Sequence, residues 1–136
     1  MGQDRGSSAV ELAVLAPVLL LLVWLTIQFA LWSQGRQVAL AAAQVGARVA
    51  RQDANTVPGW QALAQQSAQS YYAGLGTRVL GGNITATAAT YGTSEVRVTV
   101  TGNVASILFG LQLPINETAG GPIECFRPDL NGGQQC

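Results

Sequence analysis

The sequence predicts an α+β protein in which one long N-terminal helix serves both as a membrane anchor and as the first element of a small globular domain. Three observations lead there. Residues 12–32, LAVLAPVLLLLVWLTIQFALW, form an apolar run interrupted only by Thr26 and Gln28. Helix-forming residues then continue without a breaker to Asn55-Thr56-Val57-Pro58. From Asn83 the hydrophobic period changes to two, the alternation of half-buried strands.

The anchor comes first. At 1.5 Å per residue, Leu12 to Trp32 would span roughly 31 Å, about one hydrocarbon thickness. Two alternatives compete. A core helix of a soluble protein would need apolar surroundings on every side, and the rest of the chain is too small and too polar to supply them. A cleaved secretory signal has a shorter apolar region, follows a basic segment and ends at a small-residue site, none of which is seen here. Within the run Pro17 removes one backbone hydrogen bond and is expected to kink or loosen the helix. Trp32 falls where an interfacial aromatic belongs, whereas Trp24 would lie in the middle of the bilayer.

Beyond Trp32 the segment SQGRQVALAAAQVGARVARQD is rich in Ala, the strongest helix former. Gly35, Ala39, Ala43 and Ala47 recur every four residues, and Ala42, Gly46 and Ala50 make a second row. Small residues at this spacing allow another helix backbone to approach closely; plain Ala-rich composition is the competing account. Arg36, Arg48 and Arg51 mark the polar side. The chain thus divides into a short polar segment at 1–6, a helix at 7–54 and a small α+β domain at 55–136.

In that domain Pro58 suits the first position of a second helix, with Leu63, Ala64, Ala68, Tyr71, Tyr72 and Leu75 as its packed face and Gly81-Gly82 as its end. NITATAATY and EVRVTVTG alternate around the turn Gly92-Thr93-Ser94, which predicts an antiparallel hairpin with Ile84, Ala86, Ala88, Val96, Val98 and Val100 facing inward. A two-stranded hairpin is marginal alone, so it should pack on the second helix and on the segment VASILFGLQLPI. A third strand is expected around Leu111 to Glu117. Gly120-Gly121 read as turn glycines, and the tail GGPIECFRPDLNGGQQC as loop. Cys125 and Cys136 close that tail into a disulfide loop if it lies in an oxidising compartment, a bridge that loop entropy values at roughly 3 kcal/mol; otherwise they are two reduced thiols.

Composition narrows the function classes. Charged residues are 10 % of the chain, seven basic against seven acidic, so there is no basic field for nucleic acid. Histidine is absent, which removes the commonest general base and metal ligand, and two thiols do not make a zinc site. No catalytic, cofactor or metal motif occurs, and neither a phosphate loop nor a small-molecule substrate site is indicated. Enzymatic activity is therefore not expected.

One local pattern is distinctive. Gly6 is followed by Ala9-Val10-Glu11-Leu12, then Pro17, then Leu19 to Leu22. With the Ala/Arg-rich helical extension, this resembles the TadE-like proteins, minor pilins or pseudopilins of the tight-adherence (Flp-type) branch of type IV pili. The likeness runs from residue 6 to about 51. The chain departs from the pattern in its short leader with Asp4, and in Leu12, where Phe is common. The resemblance implies a prepilin peptidase that cuts between Gly6 and Ser7, leaving Glu11 as the fifth residue of the mature chain. It implies an N-terminus inside the cytoplasm, a domain outside the inner membrane, and other pilins and the assembly platform as partners. An unpaired carboxylate at the edge of a membrane segment is expensive. A Glu11 that meets the freed α-amino group of a neighbouring subunit would neutralise both charges and set helix register. A solvated Glu11 at a helix N-terminus is the plainer account. The alternative for the whole chain is a singly anchored extracytoplasmic binding module outside any filament.

Overall fold

The computed structural model describes residues 4–75, 84–104, 106 and 112–124. Its first element, α1, is a 50-residue helix, Asp4–Asp53, that passes through Pro17 without interruption. Gly6 and Ser7 lie within its first turns. The helix α2 (Trp60–Leu75) follows, then the strands β1 (Thr85–Tyr91), β2 (Glu95–Val104) and β3 (Leu113–Pro122). The three strands form one antiparallel sheet in the order β1-β2-β3. Thus α1, α2 and the third strand are all present, and the expected α+β architecture holds. Gly81-Gly82 and both cysteines, Cys125 and Cys136, lie outside the described residues.

Only the C-terminal half of α1 is covered. It packs on α2 and on the face of β2 and β3, while α2 lies against β1. The core consists of small residues from α1, Ala39, Ala42, Ala43, Ala47 and Ala50, set against Trp60, Ala64, Ala68 and Tyr72 of α2 and Val96, Val98, Val100 and Ile115 of the sheet. Gly35 is buried as well. Gly46 marks the tightest approach. A methyl group built there would stand 2.9 Å from the carbonyl oxygen of Ala64, 3.0 Å from Val98 Cγ1 and 3.1 Å from Ala68 Cβ. The small-residue rows therefore serve contacts within the chain, with α2 as the helix that approaches.

That close approach explains where α2 departs from expectation. Its buried row is Trp60, Ala64, Ala68 and Tyr72, four residues apart, whereas Leu63, Tyr71 and Leu75 are exposed. A helix backbone pressed against Gly46 has room for alanine and none for leucine, so size outweighs hydrophobicity. The helix also begins at Trp60 and not at Pro58, because Gly59 adopts φ +80°, a left-handed turn that glycine takes without strain.

The hairpin follows the alternation. Thr87 stands opposite Thr99 and Ala88 opposite Val98, and Gly92 turns the chain at φ +65°. On the outer face Thr99 and Thr118 hydroxyls meet at 2.9 Å. The third strand runs further than expected, through Gly120, Gly121 and Pro122. These two glycines are strand glycines and not turn glycines. A Cβ on Gly120 would fall 2.3 Å from the carbonyl oxygen of Val96, and one on Gly121 would fall 3.3 Å from Arg51 Cδ. They mark close backbone and side-chain approach, the usual reason for glycine inside a strand.

Two measurements test this core. Gly46→Val should destabilise the domain by about 1–3 kcal/mol in denaturant unfolding of the detergent-solubilised chain, since overpacking forces backbone shifts; an unchanged midpoint refutes the tight seam. Tyr72 is 2 % exposed, and its hydroxyl finds no partner among the described residues. Burial raises its pKa above 10, because the phenolate would lose its hydration. The neutral form is thus favoured in the fold. This contribution is intact below about pH 10 and is lost as pH rises beyond it, where the unfolded tyrosine ionises first. Tyr72→Phe should be neutral or stabilising by up to about 1 kcal/mol at pH 7, and should flatten the alkaline decline.

Candidate functional site

The surface with functional character is α1 itself, and it divides at Trp32. On the N-terminal side the large apolar side chains from Val10 to Phe29 are between 43 % and 71 % exposed. Mean hydropathy over the most apolar 18-residue window is 2.5, and none of that window is buried in the fold. Helical backbone satisfies its own polar groups, so such a segment can lie in hydrocarbon. The exposed apolar half of α1 has the length and composition of a single-pass membrane anchor. Thr26, one of its two polar residues, donates to the carbonyl oxygen of Leu22 at 2.8 Å, which removes the hydroxyl from its surroundings. The other, Gln28, is 7 % exposed, and its Oε1 accepts from Ser106 Oγ at 3.5 Å.

Glu11 stands exposed near the start of this apolar stretch, one turn and a half before Pro17. Among the described residues it has no cationic partner. Gly6 and Ser7 share the same helical segment. Gly35, Ala39, Ala43, Gly46 and Ala47 are far from Glu11 along the helix and are buried under the chain's own domain.

The junction between the two halves of α1 is built by side chains that sequence reading does not connect. The guanidinium of Arg36 donates from Nε to Glu117 Oε1 and lies 5.1 Å from the ring centroid of Trp32. Phe29 and Trp32 rings stand 5.9 Å apart. At the far end Arg51 donates from Nε to the carbonyl oxygen of Pro122 at 3.2 Å, and its Nη2 meets Glu124 Oε1 at 2.7 Å. The Glu124 amide in turn donates to the carbonyl oxygen of Arg51 at 2.9 Å.

Two arginines thus hold β3 along the helix. From Arg36 to Arg51 the helix rises about 22 Å, and from Glu117 to Glu124 an extended strand covers about 23 Å. The pairs occur in the same order on both elements, so α1 and β3 run in the same direction with matched rise. Only the parity of β3 carries a sequence signal. Ile115, Glu117, Ala119 and Gly121 alternate toward the helix, so Glu117 is an inward-facing acid that requires a cation. Its side chain is 14 % exposed, against 49 % for Glu124.

This difference in burial makes a prediction. Removing the carboxylate of Glu117 leaves Arg36 without its anion at a half-closed site, whereas the Arg51–Glu124 pair sits in water and is screened. Glu117→Ala should therefore lower the unfolding midpoint more than Glu124→Ala does, and only the smaller effect should vanish in high salt. Equal losses in both variants would contradict the asymmetry.

No curated protein and no solved structure matches the chain. A family model does, that of the TadE-like protein, and it covers residues 6–48. The matched segment contains Gly6, Glu11, Pro17, the exposed apolar stretch and most of the small-residue rows. Over these residues the chain is similar to the TadE-like family, which is associated with tight-adherence pili.

Proposed function

We propose that the chain is a minor pilin or pseudopilin that takes part in assembly of a tight-adherence type IV pilus through helix–helix association. The observation that carries this reading is the pairing of an uncovered apolar helix with a lone carboxylate at its edge. The apolar half of α1 is held away from its own domain, so it can be surrounded by lipid or by equivalent helices of other subunits. Glu11 lacks a partner among the described residues, and an α-amino group at the same depth in a neighbouring subunit would supply one.

In this reading a prepilin peptidase cuts between Gly6 and Ser7, and the new amine of Ser7 becomes the cation offered to the next subunit's Glu11. Pro17 frees one backbone carbonyl and softens the helix just inside the membrane, where a subunit must adjust as it leaves the bilayer. The domain beyond Trp32 lies outside the inner membrane, with the N-terminus inside, and Cys125 and Cys136 pair there. The small rows of α1 have a different role from Glu11: they fix the domain on its own stalk and leave the apolar half to make contacts between subunits. The mechanism is association, with no catalytic step, and needs no cofactor.

Glu11→Ala should abolish or strongly reduce recovery of the chain in sheared filament or assembly-platform fractions, while flotation shows normal membrane insertion. Undiminished incorporation would reject the pairing role. Intact mass of the membrane-extracted protein decides the processing step: a chain that begins at Ser7 supports it, and one that begins at Met1 or Gly2 rejects it.

A further inference from the structure

The groove at the junction of stalk and domain has the chemistry of a ligand site. It is open, has a volume of about 290 Å³, and is lined by Phe29, Trp32, Ser33, Arg36, Gln37 and Leu40 of α1 with Glu117 of β3. Its centre, from Trp32 to Arg36, rises about 6 Å along the helix immediately beyond the apolar run, which is the depth of the headgroup layer when that run lies in hydrocarbon. Phe29, 66 % exposed, points the groove's apolar end toward the acyl region, and Leu40 is exposed at its other end.

Arg36 is held on two sides, by the Trp32 ring and by Glu117. Only its Nε is used, so among the described residues its two terminal nitrogens donate no hydrogen bond. A guanidinium fixed in this way presents the fork that suits a phosphodiester. Glu117 is engaged through Oε1, and Oε2 has no partner among the described residues. Among the described residues the groove therefore offers an anion-binding fork beside an unengaged carboxylate oxygen. A purely anionic headgroup meets repulsion from Glu117. A quaternary ammonium carries no N–H to donate. A primary ammonium donates to Oε2 while its phosphate accepts from Arg36.

We propose that this groove is a specific site for an aminophospholipid headgroup, with the phosphate on Arg36, the primary ammonium on Glu117 and one acyl chain along Phe29. The site rests on the membrane anchorage of α1 and is independent of any role in a pilus. It would orient the domain at the bilayer surface, since both ligand-binding residues belong to the contact that joins α1 to β3.

The test is native mass spectrometry of the full chain in detergent, with equimolar phosphatidylethanolamine, phosphatidylcholine and phosphatidylglycerol of identical acyl chains. The wild type should retain one phosphatidylethanolamine at least tenfold over the other two. Arg36→Gln should lower retention of phosphatidylethanolamine about tenfold, and Glu117→Gln should erase the preference over phosphatidylcholine. Equal retention of the three lipids by the wild type overturns the site, whatever the variants do. So does a second copy of the chain retained in place of lipid and lost in Leu40→Glu. Liposome flotation separates the two premises: a chain that floats but does not discriminate among lipids refutes the site alone, and one that does not float refutes anchor and site together.

Discussion

The structure depends on a seam with no room for a methyl group. At Gly46 the backbone of α1 comes so close to α2 and β2 that an added Cβ would collide with the Ala64 carbonyl oxygen and the Val98 side chain together. Everything in the domain is arranged around this approach. Because the seam is tight, α2 must present Ala64 and Ala68, and its larger apolar residues Leu63 and Leu75 are displaced to the surface. Because the seam is narrow, the bulk of the core has to come from the sheet and from the ends of α2, where Val96, Val98, Val100, Trp60 and Tyr72 are buried. A small domain with few large core residues gains through close packing what it lacks in buried area.

The seam also decides what the rest of α1 can do. A helix of 50 residues cannot be covered by so small a domain, and the coverage is confined to its C-terminal half. Two arginines at the limits of that half tie it to β3, and the matched rise of helix and strand allows both contacts at once. The division of labour along one helix follows: a half that is covered by the domain, and a half whose large apolar side chains stand exposed. Helical continuity across Trp32 joins them mechanically, so a displacement of the apolar half is transmitted to the domain without a hinge of loop residues.

The anchor and the hairpin were legible in the sequence because their periods are local. Leu12 to Trp32 is apolar at every turn, and Val96, Val98 and Val100 alternate with polar residues over six positions. The small-residue rows were legible as a close-packing surface, but their spacing names no partner, and α2 proved to be the helix that uses them. The face of α2 was misjudged because hydrophobicity was weighed before size. The glycines at 120 and 121 were misjudged because a Gly pair signals a turn far more often than two neighbours that press on a strand. The Arg36–Glu117 pair joins positions 81 apart. No local pattern announces it, although the inward parity of Glu117 on β3 would have shown that a cation was needed.

The carboxylates Glu11 and Glu117 lie at opposite edges of the apolar stretch, and among the described residues only Glu117 meets a cation. Glu117 is answered from within by Arg36, and this contact is consistent with a domain that folds on its own stalk. Glu11 has no such answer among the described residues, although the cost of an isolated charge is greater beside hydrocarbon than beside a protein surface open to water. The contrast is between a contact at Glu117 that joins the stalk to the domain and a carboxylate at Glu11 that none of the described residues meets.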